Sequence, residues 1–266
     1  MNYLSLCCIA RDEDLYIHEF ICYYKLLGVE KFYIYDNGSK MPLQDILKKY
    51  GTLCEIIPFD GVAVQMKAYQ HCLNKFGKQT KWLLVCDLDE FVFSPKKDTL
   101  PEILCEYEKP GIGGLGINWK LFGSNSYINK PNGLVIESYT KVMPNDHIEN
   151  VHIKSCIMPE FAISVAGDPH SFLYKPGYNA VNENYEIVRG PFTKKHFSFS
   201  IVLHHYVLKS FEEYKINKLS RARADTTKYP GKTIEDFFRF DKDCTETNTD
   251  IFRFIPKVKE EMEKYK

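Results

Sequence analysis

Neither sign of charge is in excess: Lys plus Arg number 35, and so do Asp plus Glu. A chain with no net field has no long-range pull towards nucleic acid or an anionic membrane, so any partner is recognised by local contacts. Cysteine pattern is also missing, since the nine Cys are odd in number, Cys7 and Cys8 are adjacent, and no C-x-x-C pair occurs. That excludes an obvious disulfide framework or zinc site and leaves the reduced thiols of a cytoplasmic protein as the simplest account. No apolar run approaches the ~20 residues of a membrane helix. The first such run, residues 3–10, has no basic segment before it and leads straight into Arg11, Asp12, Glu13 and Asp14, unlike a signal peptide. Internal repeats, low-complexity stretches and a Gly-rich phosphate loop are absent too.

What is there instead is regular alternation. Residues 3–10, 31–35, 53–59 and 82–86 are apolar runs of strand length. Between them lie helical patterns: Leu15 to Leu27 behind Asp12 and ahead of Gly28, a short one at 43–50, and residues 65–76 with Met66, Tyr69, Leu73 and Phe76 on one face. Strands alternating with helices across short connections predict an α/β fold, with a mostly parallel central sheet flanked by helices. Ligands of such sheets bind at the carboxyl ends of the strands, which gathers Arg11, Asp36, Asp60 and Asp87 around one crevice.

Beyond Phe93 the pattern loosens. Thr99 and Glu102 read as a capping box for a helix ending near Glu108. Strands are expected at 115–121, 134–142, 154–158, 173–174 and 197–203, and helices at 210–224, 234–238 and 256–266. The length of 266 residues suits one domain, dividing into residues 1–110, residues 111–225 and a C-terminal helical extension (226–266). Mixed charge in the last helix favours a solvated element. Peripheral contact with the inner face of a membrane is the competing expectation.

The chemistry concentrates in residues 82–91. An apolar strand ends in Cys86, Asp87, Leu88, Asp89 and Glu90, and extended side chains two apart share a face. Two carboxylates that close repel unless a divalent cation lies with them, and hard oxygens select Mg2+ or Mn2+. Such an ion keeps open positions that a nucleotide diphosphate fills, and it stabilises the charge that grows on a leaving diphosphate.

The same run, Trp82 to Phe91, resembles the W-x-x-x-x-D-x-D-E-F block of glycosyltransferase family 92. Further blocks agree in order: Glu19 to Tyr24 with Gly28 and Val29; Tyr33 to Asn37 with Ser39; and Asn118, Trp119, Phe122, Gly123 and Ser124. They continue with Lys154 and Ser155, then Asp168, Pro169 and His170, and close with His205, Tyr206, Ser210, Glu213, Tyr214, Lys218 and Arg221. Two departures are local: Arg11, Asp12 and Glu13 stand where the family commonly has Lys-Asn-Glu, and Tyr24 stands where His is common.

The resemblance implies a GT-A type fold and a metal-dependent inverting transferase. It would move a hexose, galactose first, from a UDP-sugar to a glycan or glycolipid acceptor in polysaccharide biosynthesis. Arg11, Asp36, Gln65, Asp87 and Arg221 are then the expected donor contacts, Asp36 at the base and Asp87 at the ribose or a metal-bound water. Asp87, Asp89 and His205 form the metal set, with Asp89 a direct ligand and His205 a neutral imidazole. Trp119, Phe122 and Ser124 belong to the acceptor side, Trp119 stacking on the sugar. Inversion requires a general base, for which His170 and Asp168 rank ahead of Glu137. The spacing of Lys218, Arg221 and Arg223 offers cations to the diphosphate or a solvated basic face. Two other classes fit the acidic pair: a two-metal nucleotidyltransferase or phosphohydrolase, and a non-catalytic carbohydrate-binding protein.

Overall fold

The structure is a computed structural model describing residues 1–194, 199–220, 224–225, 227 and 231–266. In chain order the strands are β1 (Asn2–Ala10), β2 (Lys31–Asp36), β3 (Cys54–Pro58), β4 (Thr80–Val85), β5 (Glu90–Phe93), β6 (Ile112–Leu121) and β7 (Lys141–Val142). They continue as β8 (Ile153–Ile157), β9 (Ala162–Val165), β10 (Phe172–Tyr174), β11 (Asn179–Val181), β12 (Ile187–Val188), β13 (Val202–His205) and β14 (Glu246–Thr247). The α-helices are α1 (Ile17–Leu26), α2 (Leu43–Ile46), α3 (Gln65–Phe76), α4 (Pro101–Leu104), α5 (Val135–Ser138), α6 (Phe211–Tyr214), α7 (Ile234–Asp243) and α8 (Ile255–Glu263).

One sheet in the order β12-β11-β6-β8-β4-β1-β2-β3 organises the chain, with β13 joining β6 to β5. The pairs of β1 with β2 and β4, and of β2 with β3, are parallel, whereas β8 runs antiparallel between β4 and β6. This is the mostly parallel α/β sheet expected of a GT-A chain. The period of two divides the core. Leu4, Leu6, Cys8, Phe32, Ile34, Trp82 and Leu84 pack with α1 and α8 on one face. Cys7, Tyr33, Tyr35, Leu83 and Val85 pack with Ala68, Tyr69 and Cys72 of α3 on the other.

Gly28 takes φ 94° after α1, and the amides of Gly28 and Val29 donate to Lys25 O and Tyr24 O, the left-handed exit expected there. A Cβ at Gly28 would meet Pro101 Cδ at 2.8 Å, so the turn also sets how closely the α4 loop approaches. The tail expected to be solvated is docked instead: α8 buries Ile255 and Val258 against the α1 side of the core, and Lys25 Nζ reaches Glu261 at 2.5 Å.

Three elements differ from expectation. Residues 134–142 form α5 followed by the two-residue β7 rather than one strand. The buried Glu19 carboxylate accepts from Val135 N at 2.8 Å and Ile136 N at 3.1 Å, capping a helix that local pattern does not announce. Of the helix expected at 210–224 the described residues show α6, begun by a capping box of Ser210 and Glu213, widening into a π-helical turn at Lys215–Leu219, and residues 221–223 lie outside the described set. Strand β13 starts at Val202, and the residues 195–198 that fall in or beside the expected strand lie outside the described set. Among the described residues no helix is long and apolar enough to cross a membrane.

Candidate active site

A cleft of about 520 Å3 opens at the carboxyl ends of β1, β4, β6 and β13, where Arg11, Asp87, Asp89, Trp119 and His205 meet the start of α3 and the π-helical turn. The acidic pair is not extended. Glu90 N donates to Asp87 O at 3.1 Å, making Asp87 to Glu90 a tight turn between β4 and β5, yet both carboxylates line the cleft. The Glu90 carboxylate folds back to accept from Asp87 N at 2.8 Å, which is why a turn wins over a continued strand. Beneath it, Tyr24 OH donates to Glu90 O and accepts from Val92 N, each at 2.9 Å.

Asp87 is held from two sides. Its Oδ1 accepts from Gln65 Nε2 at 2.6 Å and Tyr69 OH at 3.0 Å, while its Oδ2 pairs with Lys154 Nζ at 2.8 Å. Lys154, fully buried on β8, also lies 3.6 Å from Glu90 Oε2. Burial raises the Asp87 pKa, but Lys154 outweighs it and the carboxyl ends below its usual range. Glu90 goes the other way: burial dominates, Lys154 compensates only partly, and its pKa is raised well above normal.

Asp89 accepts from Lys218 Nζ at 2.8 Å through Oδ2, and its Oδ1 faces His205 Nε2 at 3.6 Å. The register explains this meeting, because β13 sets His205 opposite Glu90 on β5 and opposite Leu121 on β6. Burial is opposed by Lys218 and His205, which hold Asp89 well below the carboxylate range. Burial lowers the His205 pKa despite the pull of Asp89, keeping the ring neutral. Its Nδ1 is buried with no hydrogen-bond partner among the described residues.

Two carboxylates and a neutral imidazole are donors that suit Mn2+ or Mg2+, and 3.6 Å is within the span of two ligands sharing one ion. Among the described residues, no three His, Cys, Asp or Glu side chains converge closely enough to hold a metal as they stand. The Lys218 ammonium already pairs with Asp89, at 2.8 Å.

His170 lines the cleft, and its Nδ1 lies 2.9 Å from Ile153 O, which fixes the proton on Nδ1 and leaves Nε2 as an acceptor. Burial first, then Lys154, lower its pKa to about 3. Asp168 stays behind it, outside the cleft lining, accepting from His170 N, Ser171 N and Ser171 Oγ, and so shapes the loop. Glu137 is not in the site. It sits on α5, paired with Lys259 at 2.8 Å, because Glu19 makes a helix there.

Trp119 forms one wall, with a face stacked on His152 at 4.8 Å and edges against His170 and His205 at 5.3 and 4.3 Å. That covered face replaces the open stacking platform expected; what remains is the indole Nε1, buried without a hydrogen-bond partner among the described residues. Phe122 is fully buried against His204 and Tyr206 and does not line the cleft. Ser124 is buried as well, its amide donating to Asp241 and its hydroxyl accepting from Ser126 N. Asp36 accepts from Ser39 N and Leu43 N, both at 2.9 Å, and the neighbouring Asn37 reaches the cleft in its place. Gln65 lines the cleft and is committed to Asp87, while Arg221 and Arg223 lie outside the described residues.

Sequence reasoning missed five contributors: Lys154 as the partner of Asp87, Tyr24 and Glu90 as supports of the turn, and Glu149 and His152, paired on the Trp119 wall. Only Lys154, Tyr24 and Glu90 had a signal, their place inside the motif blocks.

The sequence profile described as Glycosyltransferase family 92 matches residues 4–237. The chain belongs to glycosyltransferase family 92. A family 92 protein of Oryza sativa subsp. japonica is 26% identical over 207 residues, covering 74% of this chain and 33% of its own. One of Arabidopsis thaliana is 25% identical over 191 residues, covering 65% and 32%. This family 92 chain thus spans about a third of the length of the curated relatives it matches. Among solved structures, S. aureus TarS 1-349 in complex with UDP is similar with a TM-score of 0.40 and 13% identity over 59% of this chain and 47% of that one. Glucosyl-3-phosphoglycerate synthase from Mycobacterium tuberculosis, in complex with Mn2+, UDP and glucosyl-3-phosphoglycerate, gives 0.32 and 14% over 44% of each.

Proposed function

We propose that this family 92 chain is a metal-dependent inverting glycosyltransferase that moves a hexose from a UDP-sugar, UDP-galactose first, to a glycan or glycolipid acceptor. The observation that carries the reading is the approach of Asp89 Oδ1 to His205 Nε2 at 3.6 Å, beside Asp87, at the carboxyl end of β4. Asp89 and His205 would hold Mn2+ or Mg2+, with Asp87 turned to the ribose hydroxyls. The bound ion supplies Lewis-acid stabilisation of the leaving diphosphate.

The chain's own residues do the rest. Gln65 and Lys154 orient Asp87. Trp119 offers its Nε1–H to the acceptor sugar. His170 accepts the acceptor hydroxyl proton on Nε2, since Ile153 O holds the other nitrogen protonated. A ring with so low a resting pKa is a weak base alone, but the negative charge of a bound diphosphate nearby raises it. Asp168 fixes the loop that presents this ring. Incubating the protein with UDP-sugars, sugar acceptors and Mn2+ tests the proposal. It expects UDP and a product of inverted anomeric configuration, both lost with chelator. Release of UMP with sugar phosphate would instead show pyrophosphate cleavage and end it.

A further inference from the structure

The two lysines on the acidic turn are not equivalent. Lys154 is fully buried in the middle of β8 and locked between Asp87 at 2.8 Å and Glu90 at 3.6 Å. Lys218 stands on a π-helical turn, with Ser220 N donating to Lys215 O, and its side chain is 33% exposed in the cleft. Single π turns are uncommon and concentrate at functional sites. Lys218 Nζ lies 2.8 Å from Asp89 Oδ2, on the carboxylate that His205 also faces. A cation entering between Asp89 and His205 meets that ammonium at close range, where like charges repel strongly in a partly desolvated cleft.

We propose that Lys218 is an internal counter-ion that keeps Asp89 from binding a divalent cation until a nucleotide diphosphate arrives to take the ammonium group. The inference rests on the reading of Asp89 and His205 as the cation seat. Lysine suits the exchange: it is a point charge on a flexible four-carbon stem, able to turn from a carboxylate to a phosphate oxygen without reshaping the backbone. Lys154 neutralises Asp87 throughout and is not exchanged. Cation and nucleotide therefore bind with strong mutual coupling, each clearing the way for the other. Lys218 is a positioning residue acting through Asp89 before the donor is in place.

The test is direct titration of Mn2+ into the free protein, followed by electron paramagnetic resonance, with and without UDP. Lys218→Met should bind Mn2+ at least tenfold more tightly than the parent without UDP, and UDP should enhance its Mn2+ affinity less than in the parent. Lys218→Arg, which keeps the charge, should resemble the parent. A merely structural lysine would make the Met variant bind Mn2+ more weakly. Unchanged or weaker Mn2+ binding by Lys218→Met overturns the counter-ion. An Asp89→Ala control separates the two readings: if it loses Mn2+ while Lys218→Met is unchanged, only the counter-ion fails; if it keeps Mn2+, the cation seat itself fails. Should the Met variant not fold, Lys218→Gln carries the same comparison.

Discussion

Lys154 places its ammonium 2.8 Å from Asp87 Oδ2 from a neighbouring strand that runs in the opposite direction, and no part of the lysine side chain reaches solvent. A charge in that position is tolerated only because Asp87 and Glu90 share it.

Removing that ammonium leaves the half-buried Asp87 and the fully buried Glu90 without their cation. Lys154→Met should destabilise the fold by about 3–5 kcal/mol, the usual consequence of leaving a buried charge unpaired. Adding Glu90→Gln should return part of the loss, since the two sites are in contact and their effects will not add. Urea unfolding of the single and double variants measures both. A Lys154→Met protein as stable as its parent would show that the pair carries no structural weight.

Asp89 behaves differently because its partner Lys218 is 33% exposed and can relax into solvent. Asp89→Asn should fold with little change in melting temperature, yet lose roughly a thousandfold in turnover, the several kcal/mol that a Lewis acid contributes. Thermal melting and steady-state rates are the two readouts. Turnover within tenfold of the parent would remove Asp89 from the chemistry.

The state of His170 is open to heteronuclear NMR. The ring should remain neutral, with its proton on Nδ1, from pH 8 down to 5, because burial and then Lys154 lower its pKa to about 3. The unfolded chain takes that proton first, near pH 6.5, so the stability this histidine contributes is present above 6.5 and is lost as pH falls towards 3. Glu19 acts in the opposite sense. Its carboxyl is raised to about 7 by burial, so its contribution is lost as pH rises through 7. The two overlap in any melting curve, and residue-resolved spectra are needed to separate them.

Trp119→Phe keeps a ring beside His152 and deletes the unpartnered Nε1–H. The KM for acceptor should rise about tenfold, in line with one lost buried hydrogen bond, while UDP binding stays unchanged. If donor binding weakens and acceptor KM does not move, the indole belongs to the other half of the cleft.

Glu137→Gln should leave turnover as it is and change stability by no more than ~0.5 kcal/mol, because the pair with Lys259 is exposed on both sides. A large loss of rate would bring α5 back into the chemistry.

The fold of residues 1–110 was legible because its strands are buried on both faces and read as continuous apolar runs, with Gly28 marking one helix exit correctly. The acidic pair was legible in its place at the cleft but not in its backbone: the turn is imposed by Glu90 reaching back to Asp87 N, a contact that periodicity does not encode. Residues 111–225 were read less well, since their elements answer to distant partners. Glu19 turns residues 135–138 into a helix from more than a hundred positions away. Phe122 and Ser124 sit inside a motif block, and nothing in their spacing says that the core takes them. Asp168 and His170 are neighbours in sequence, and only the fold shows that one holds the loop while the other faces the cleft.

Strand β13 is stitched between β5 and β6, so His205 reaches Asp89 only after segments far apart in sequence have found each other. Contacts of that range are the slow ones in folding. The acidic turn can thus be translated, and even locally shaped, long before an imidazole stands beside it. Geometry is in this way made conditional on completion: a half-built molecule has the carboxylates without the imidazole, and the three meet only when its architecture closes.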